Sequence, residues 1–308
     1  MTKQALRLIT IFLCTAVLLI GEVPATQEHG ADDSAYLAAL EKWRAERLEE
    51  VNGPEGWTTL AGLFWLDEGM NGIGSAPTNP ILLPAHAPKF AGNVLLSRGV
   101  VTLKPNRYAG LLIDGKPAAE QILSSDVDGK PTAVTRDSLK FYIIKRGDKL
   151  GVRVKDKANS LRTNFKGIQQ FSINQKLRVY AKFDPYNPQK TIPIMNVLNV
   201  TQDMISPGSL SFEIDGKTYK LDPVLEKGSD RLFIIFADQT TGKETYGAGR
   251  YLYADPPGPD GKVLLDFNRA ENPSCAFTKF ATCPLPPRQN RLTIRVEAGE
   301  KKYEGPGH

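Results

Sequence analysis

Histidine is scarce in this chain, and its scarcity excludes several kinds of active site. The 308 residues contain three histidines, at His29, His86 and His308. None of them lies in the polar region between Asp238 and Tyr303. A Ser-His-Asp or Cys-His site in that region would need His86 from another part of the fold, and a multi-histidine metal site is excluded. We therefore predict no metal and no cofactor.

Cysteine is equally rare, with Cys14, Cys275 and Cys283 as the only examples. Cys14 lies in a predicted leader, so two thiols eight positions apart would remain in the mature protein. In an exported chain such a pair predicts a disulfide. By chain-entropy reasoning so small a ring stabilises the fold by up to about 3 kcal/mol. A redox-active pair is the alternative, whereas a zinc site lacks two further ligands.

The chain also lacks a block of basic residues. Its 39 Lys and Arg residues and 34 Asp and Glu residues give a formal net charge of +5, spread along the sequence. A protein that follows a phosphate backbone needs a basic patch or stripe. We therefore predict no nucleic-acid partner.

Long apolar runs are absent except at the N-terminus, where the pattern is typical of a secretory signal peptide. Lys3 and Arg7 precede an apolar run from Leu8 to Ile20, and Val23-Pro24-Ala25 provides small residues for cleavage before Thr26. The run is shorter than the roughly 20 residues of a membrane-spanning helix. We therefore predict a signal peptide at residues 1–25, export to the periplasm or the extracellular space, and no stable membrane span after cleavage.

The mature chain is predicted to be mainly β, with one N-terminal helix. Residues 26–32 are predicted to be a flexible tail, and apolar residues at helical spacing predict a helix from Asp33 to Val51, ended by Asn52-Gly53-Pro54. Short strand patterns follow, separated by turns such as Asp114-Gly115 and Asp215-Gly216. This spacing favours antiparallel sandwich or barrel-like sheets over alternating β-α units. The last predicted strand runs from Leu292 to Glu297.

The strand pattern divides the chain near residue 165. We predict a tail and helix at residues 26–56, an N-terminal β domain at 57–164, and a C-terminal β domain at 165–308 that carries the polar cluster. The stretch from Gly69 to Leu96 faintly resembles the opening strands of forkhead-associated domains. Ser75 stands where that pattern usually has Arg, so the resemblance implies a similar scaffold and not phosphopeptide binding.

Several sequence segments, spread over nearly the whole mature chain, are similar to one protein family. They are Trp57 to Gly69, Val152 to Asp156, Thr245 to Arg250, Asp266 to Cys275 and Cys283 to Pro287. Together they resemble the bacterial family catalogued as domain of unknown function 1684 (DUF1684). The resemblance implies membership and supplies no activity.

The polar cluster itself supplies candidate ligand-binding or catalytic residues. Asp266 and Asn268 would share one face of a strand, where they suit a sugar hydroxyl, a cation or a catalytic water. The alternative is that both satisfy backbone groups of the following turn. Arg250 follows three small residues and suits either a ligand carboxylate or an internal ion pair with Asp238 or Asp266. Tyr246 and Asn272 complete the predicted ligand-binding set.

Three hypotheses follow from these residues. The first is an exported binding protein for a small polar ligand, carbohydrate or carboxylate-like. The second is a hydrolase that uses Asp266 with a second carboxylate and Arg250, with Asp238, Glu297 and Glu300 as the other carboxylates. The third is a structural or interaction protein in which the cluster forms an internal brace. Convergence of the polar side chains on an open concavity separates the first two from the third.

Overall fold

The computed structural model describes residues 26–306, whose contacts divide them into two units, residues 26–43 and 44–306. The predicted signal peptide and His308 lie outside the described residues. Helix α1 spans Thr26–Asn52 and ends as predicted before Gly53. The predicted tail at residues 26–32 is wrong, because these residues are helical. None of them is proline, so nothing in this stretch removes a backbone donor from the helix. No helix among residues 26–306 is long and apolar enough to cross a membrane.

The prediction of a mainly β fold is confirmed, since eighteen strands in four sheets follow α1 in the described residues. A second helix, α2, is a single turn at Ser160–Thr163. The strands are β1 (Leu60–Trp65), β2 (Gly69–Gly74), β3 (Ile81–Leu82), β4 (Gly92–Ser97), β5 (Val100–Pro105), β6 (Leu112–Ile113), β7 (Lys116–Pro117), β8 (Gln121–Ile122), β9 (Val134–Arg136), β10 (Leu139–Arg146), β11 (Lys149–Asp156), β12 (Arg178–Met195), β13 (Thr201–Ile214), β14 (Lys217–Leu221), β15 (Val224–Leu225), β16 (Leu232–Phe236), β17 (Arg250–Ala254) and β18 (Lys262–Asp266).

Four sheets contain these strands, and all their pairings are antiparallel except that of β2 with β3. The first half of the β region forms a six-stranded sheet (β1-β11-β10-β9-β6-β7) and a five-stranded sheet (β3-β2-β4-β5-β8). The second half forms a four-stranded sheet (β14-β13-β12-β18) and a three-stranded sheet (β15-β16-β17). The two predicted turns join β6 to β7 and β13 to β14.

Alternating burial along the strands explains how these sheets form their cores. Between residues 73 and 154 one buried apolar cluster draws on both sheets of the first half. Another, between residues 177 and 298, includes Leu232, Ile234 and Phe236 of β16. Phe233 and Ile235 point to the opposite face of the same strand and join a third cluster. β16 is therefore buried on both faces. The division of the β region near residue 165 stays a prediction.

The segment from Leu292 to Glu297 is not a strand, contrary to the prediction. Leu292 and Val296 are buried and Ile294 is partly buried, but the backbone at the end of the segment has an unusual partner. Arg250 donates from Nη2 to the carbonyl of Val296 at 2.8 Å and from Nη1 to the carbonyl of Ala298. A buried guanidinium therefore supplies donors that a neighbouring strand would otherwise provide.

Gly299, two residues after this segment, provides a test of how tightly the backbone is packed there. Its φ is +74°, and a Cβ there would lie 2.3 Å from the carbonyl oxygen of Ala270 and 2.8 Å from that of Phe267. Gly216 has a matching φ of +73° but nothing within 4 Å of its Cβ position. Gly216→Ala therefore measures conformational strain alone, about 1 kcal/mol. Gly299→Ala adds overpacking, and we expect it to cost about 2–3 kcal/mol by denaturant titration. Equal losses in the two variants would contradict the close packing.

Candidate functional site

Arg250, for which the sequence left open a ligand carboxylate or an internal ion pair, is buried inside the protein and forms the internal pair. Its Nη2 donates to Asp238 Oδ2 at 2.8 Å, and both side chains are inaccessible to solvent. Asp238 Oδ1 accepts in turn from the amide and the hydroxyl of Thr240, at 2.7 and 2.6 Å. Burial lowers the pKa of Arg250, and the charge of Asp238 opposes that effect. The arrangement is an internal brace between β17 and the C-terminal segment.

Asp266 and Asn268 do not share a strand face, contrary to the prediction. β18 ends at Asp266, whose Oδ1 accepts from the amide and side-chain nitrogens of Asn268 at 3.1 and 3.0 Å. The chain then turns through a 3-10 helix at Phe267–Arg269. Asn268 also exchanges two hydrogen bonds with the backbone of Asn174. Asp266 acts here as the cap of a turn, because its carboxylate satisfies amide groups that the turn leaves unpaired.

The two cysteines are buried free thiols, which contradicts the predicted disulfide. Cys283 Sγ accepts from the amide of Cys275 at 3.0 Å and lies 3.2 Å from Ser274 Oγ. These polar contacts and the thiol of Cys275 surround the sulfur of Cys283, so the two cysteines interact by hydrogen bonding and not through a disulfide. Tyr246 donates to the carbonyl of Cys275 at 3.1 Å.

The other carboxylates of the predicted hydrolase are also engaged with cations. Glu300 is fully buried and accepts from Arg47 Nε at 2.9 Å. Glu297 is exposed and pairs with Arg295 at 2.8 Å. Within the described residues, no group of three or more His, Cys, Asp or Glu side chains is placed to hold a metal ion.

A cleft elsewhere in the second unit gathers polar side chains that the sequence does not bring together. Its volume is about 210 Å³, and it lies where β10 and β11 meet β16, β17 and the loop after Glu271. Of the predicted ligand-binding residues, only Asn272 lines it. The full lining is Arg47, Glu50, Trp57, Arg146, Arg153, Glu226, Phe233, Tyr251, Tyr253, Glu271, Asn272, Ser274, Thr282, Cys283 and Pro284.

Arg153 is the unusual residue of this cleft. Val152 and Val154 face the apolar core, so the alternation of β11 turns Arg153 to the opposite face of the sheet. Arg153 is only 4% exposed, and its Nε has no hydrogen-bond partner among residues 26–306. No carboxylate of the described chain lies within ion-pair distance of its guanidinium. A buried cation without a counter-charge is costly, so this position favours an external anion.

The other two arginines of the cleft carry their own counter-charges. Arg47 contacts Glu300 at 2.9 Å and Glu50 at 2.9 Å, and its Nη2 donates to the carbonyl of Asn272 at 2.6 Å. Arg146 pairs with Asp126 at 2.8 Å. Arg153 is thus the one cation of the cleft whose charge no described carboxylate offsets.

Glu271 and two tyrosines form the wall opposite β11. Tyr251 and Tyr253 alternate along β17, and Phe233 packs edge-on against the first and stacks on the second. Burial raises the pKa of Glu271 to about 8, since Arg47, 3.7 Å away, only partly offsets it. Burial also raises the pKa values of both tyrosines. The hydroxyl of Tyr251 already donates to the carbonyl of Pro284 at 2.9 Å. At neutral pH the wall therefore offers the neutral hydroxyl of Tyr253 and the neutral carboxyl group of Glu271 as hydrogen-bond donors.

Two of the larger concavities lack a buried cation without a counter-charge. One of about 550 Å³ contains Asp156, whose carboxylate already accepts from Ser138 Oγ at 2.7 Å and the amide of Ala158 at 2.9 Å. The other, of about 930 Å³, borders the paired Arg146 and Asp126. Chemistry, and not size, therefore identifies the smaller cleft as the candidate site.

Arg153 and Glu271, the two key residues of the cleft, lie in segments that carry the family resemblance, but the sequence assigned neither of them a role. Arg153 lies within the phrase Val152 to Asp156 and Glu271 within the phrase Asp266 to Cys275. One signal was present, namely a single arginine between two core valines in a predicted strand. The alternation of Tyr251 and Tyr253 was a second, because it places two hydroxyl-bearing rings on one face.

The fold and the cleft define a β-rich protein with a small polar site between strands of its six-stranded and three-stranded sheets. The comparisons give its family. The model of the family described as "Protein of unknown function (DUF1684)" matches residues 163–301. The solution NMR structure of an uncharacterized protein of Haloarcula marismortui is 33% identical over 44% of this chain and 77% of that one, with a TM-score of 0.38. A search of curated proteins gives no significant match. The chain belongs to the DUF1684 family.

Proposed function

We propose that the protein is an exported binding protein whose cleft holds a small carboxylate-bearing ligand on Arg153. The observation that carries the proposal is the buried guanidinium of Arg153 without a counter-charge. A planar guanidinium matches a carboxylate with two parallel hydrogen bonds. Export rests on the leader pattern of Lys3, Arg7 and the apolar run to Ile20.

The volume of the cleft and the side chains of its walls indicate which kind of carboxylate ligand it can hold. A volume of about 210 Å³ lies below the roughly 300–1,000 Å³ of drug-sized sites, which favours a small molecule over an oligosaccharide chain. Glu271 and Tyr253 can form hydrogen bonds with hydroxyl or carbonyl groups of the ligand. Trp57 and Phe233 provide apolar surface for its carbon chain. A short hydroxy- or keto-acid has this combination of groups.

The geometry favours this binding proposal over a hydrolase built on Asp266 and Arg250. Neither of those residues lines the cleft, and each is engaged within the protein. The brace interpretation fits Arg250, Asp266 and Asn268 individually, but it leaves Arg153 unexplained.

Replacing Arg153 tests the proposal directly. The probes are lactate, pyruvate and succinate, with lactamide as the neutral analogue, titrated calorimetrically into the full chain. We expect at least one carboxylate to bind, lactamide not to bind, and Arg153→Met to weaken binding by on the order of 10- to 100-fold. Arg146→Met, which removes a cation paired with Asp126, should change affinity much less.

Stability separates lost binding from lost folding in this experiment. Removing a buried charge that has no partner should leave the ligand-free protein as stable as before, or more stable. Arg153→Met should therefore keep or raise the melting temperature while losing affinity. Unchanged affinity in Arg153→Met, or no binding of any carboxylate by the wild type, would contradict the proposal.

A further inference from the structure

Cys283 lines the cleft, and the binding of a carboxylate by Arg153 does not explain why its sulfur lies there. Three donors surround this sulfur, namely the amide of Cys275 at 3.0 Å, the hydroxyl of Ser274 with Oγ at 3.2 Å, and the thiol of Cys275. Such contacts stabilise a negative charge on sulfur more than a neutral thiol. Cys275 itself is absent from the lining of the cleft.

The two thiols are polarised in opposite directions. Hydrogen bonding from Cys275, chiefly, holds the pKa of Cys283 below the ordinary thiol value, although burial opposes it. The same pairing and burial raise the pKa of Cys275. The thiol proton therefore stays on Cys275, and Cys283 is the member of the pair that becomes a thiolate.

We propose that Cys283 is a nucleophile that attacks the acyl carbon of a small ester whose free carboxylate is held by Arg153. This proposal rests on the proposed function, because Arg153 must first bind the anionic end of the substrate. The cleft already contains the required parts: a sulfur surrounded by donors, a cation for the anionic end and a buried carboxyl group at Glu271. The substrate class is a monoester of a short dicarboxylic acid.

The reaction proceeds in two balanced steps. In the first, the Cys283 thiolate forms an S–C bond to the acyl carbon, the C–O bond to the alcohol breaks, and the departing oxygen takes the proton of the Glu271 carboxyl group. In the second, water attacks the thioester, the C–S bond breaks and releases the thiolate, and a water proton returns to Glu271. The products are the dicarboxylic acid and the alcohol.

Alkylation with a charged and a neutral reagent tests the nucleophile and its anion site together. The full chain is reduced, freed of reductant and treated with iodoacetate or iodoacetamide, and the modified cysteines are identified by peptide mass mapping. A thiolate without a cation nearby repels iodoacetate, so iodoacetamide is the faster reagent for an ordinary thiol. At Cys283 we expect the reverse order, with Cys275 unmodified in the same molecules.

Variants separate the two proposals. Arg153→Met should lower the iodoacetate-to-iodoacetamide rate ratio at Cys283 by about tenfold or more, which corresponds to the loss of one charge-assisted contact. Cys275→Ala should slow alkylation at neutral pH, because it removes a donor from the sulfur. Carboxylate binding that depends on Arg153, together with an inert Cys283, would overturn the nucleophile alone. Loss of both would overturn the proposed function as well.

Acyl transfer is tested with the mono-4-nitrophenyl ester of succinic acid and, for comparison, 4-nitrophenyl acetate. We expect a succinyl adduct on Cys283 by mass spectrometry, faster nitrophenol release from the succinate ester, and neither result with Cys283→Ala. A folded Cys283→Ala variant that releases nitrophenol at the wild-type rate would overturn the proposal. So would a Cys283 that stays unmodified by every reagent in reduced, folded protein but reacts after denaturation.

Discussion

Methionine in place of Arg250 is expected to lower the free energy of unfolding by about 3–5 kcal/mol. The substitution keeps the length of the side chain but removes the cation that faces Asp238 at 2.8 Å. It also leaves the carbonyls of Val296 and Ala298 without their donor. A buried carboxylate and two buried carbonyls without partners are each unfavourable. Urea denaturation followed by circular dichroism measures the loss.

An exposed arginine provides the matched control for this experiment. Arg295 pairs with Glu244 at 2.7 Å and Glu297 at 2.8 Å, but all three side chains are substantially exposed to solvent. Arg295→Met should cost less than about 1 kcal/mol. Adding Asp238→Asn to Arg250→Met removes the stranded charge and should recover part of the loss, as a double-mutant cycle would show. A loss below about 1 kcal/mol in Arg250→Met would contradict its role as a brace.

The strand pattern was readable from the sequence where burial alternates along a strand. β10 and β11 show this well, because their apolar residues at every second position face one core. β16 was recognisable for another reason, since its continuous apolar run is buried on both faces. Glycines in β1 and β2 interrupt the alternation and make the strand pattern weaker there. The segment from Leu292 to Glu297 has the right alternation, but only Leu292 and Ile294 pair with a neighbouring backbone, at Ala237 and Gln239. The carbonyl of Val296 accepts instead from the guanidinium of Arg250, 46 residues away in the sequence.

The cleft was beyond prediction for a physical reason. Arg47 comes from α1, Arg153 from β11, and Glu271 and Cys283 from the C-terminal part of the chain, and only the packing of these elements brings the four side chains together. The residue types in the C-terminal cluster were correctly recognised as polar and constrained, but spacing does not reveal which side chains face inward. Arg250 and Asp266 satisfy the protein's own groups, and the unpaired charge lies on β11. The cysteine spacing was equally consistent with the thiol pair that the structure contains.

Glu271→Gln is expected to remove a pH dependence of stability from the protein. Burial is the largest cause that raises the pKa of Glu271, from 4.5 to about 8; Glu300 and Glu50 add to it, and Arg47 and Arg231 oppose it. Between these two values the folded protein holds a proton that the unfolded chain has released. The free energy of unfolding therefore falls as pH rises through this window, by up to about 1.4 kcal/mol per pH unit. The total reaches on the order of 4 kcal/mol.

Glutamine keeps the shape of the protonated carboxyl group and cannot ionise, so the variant should hold its stability between pH 5 and pH 8 while the wild type loses it. Melting temperatures at half-unit pH steps measure the difference. Glu297→Gln, at an exposed position, should follow the wild-type curve. Burial also raises the pKa of Glu226, which leaves a smaller slope of the same sign in Glu271→Gln. Parallel curves for wild type and Glu271→Gln would mean that Glu271 is ionised at neutral pH. It could then not give a proton to a leaving group, so one measurement tests both the buried charge and the acid that the proposed reaction needs.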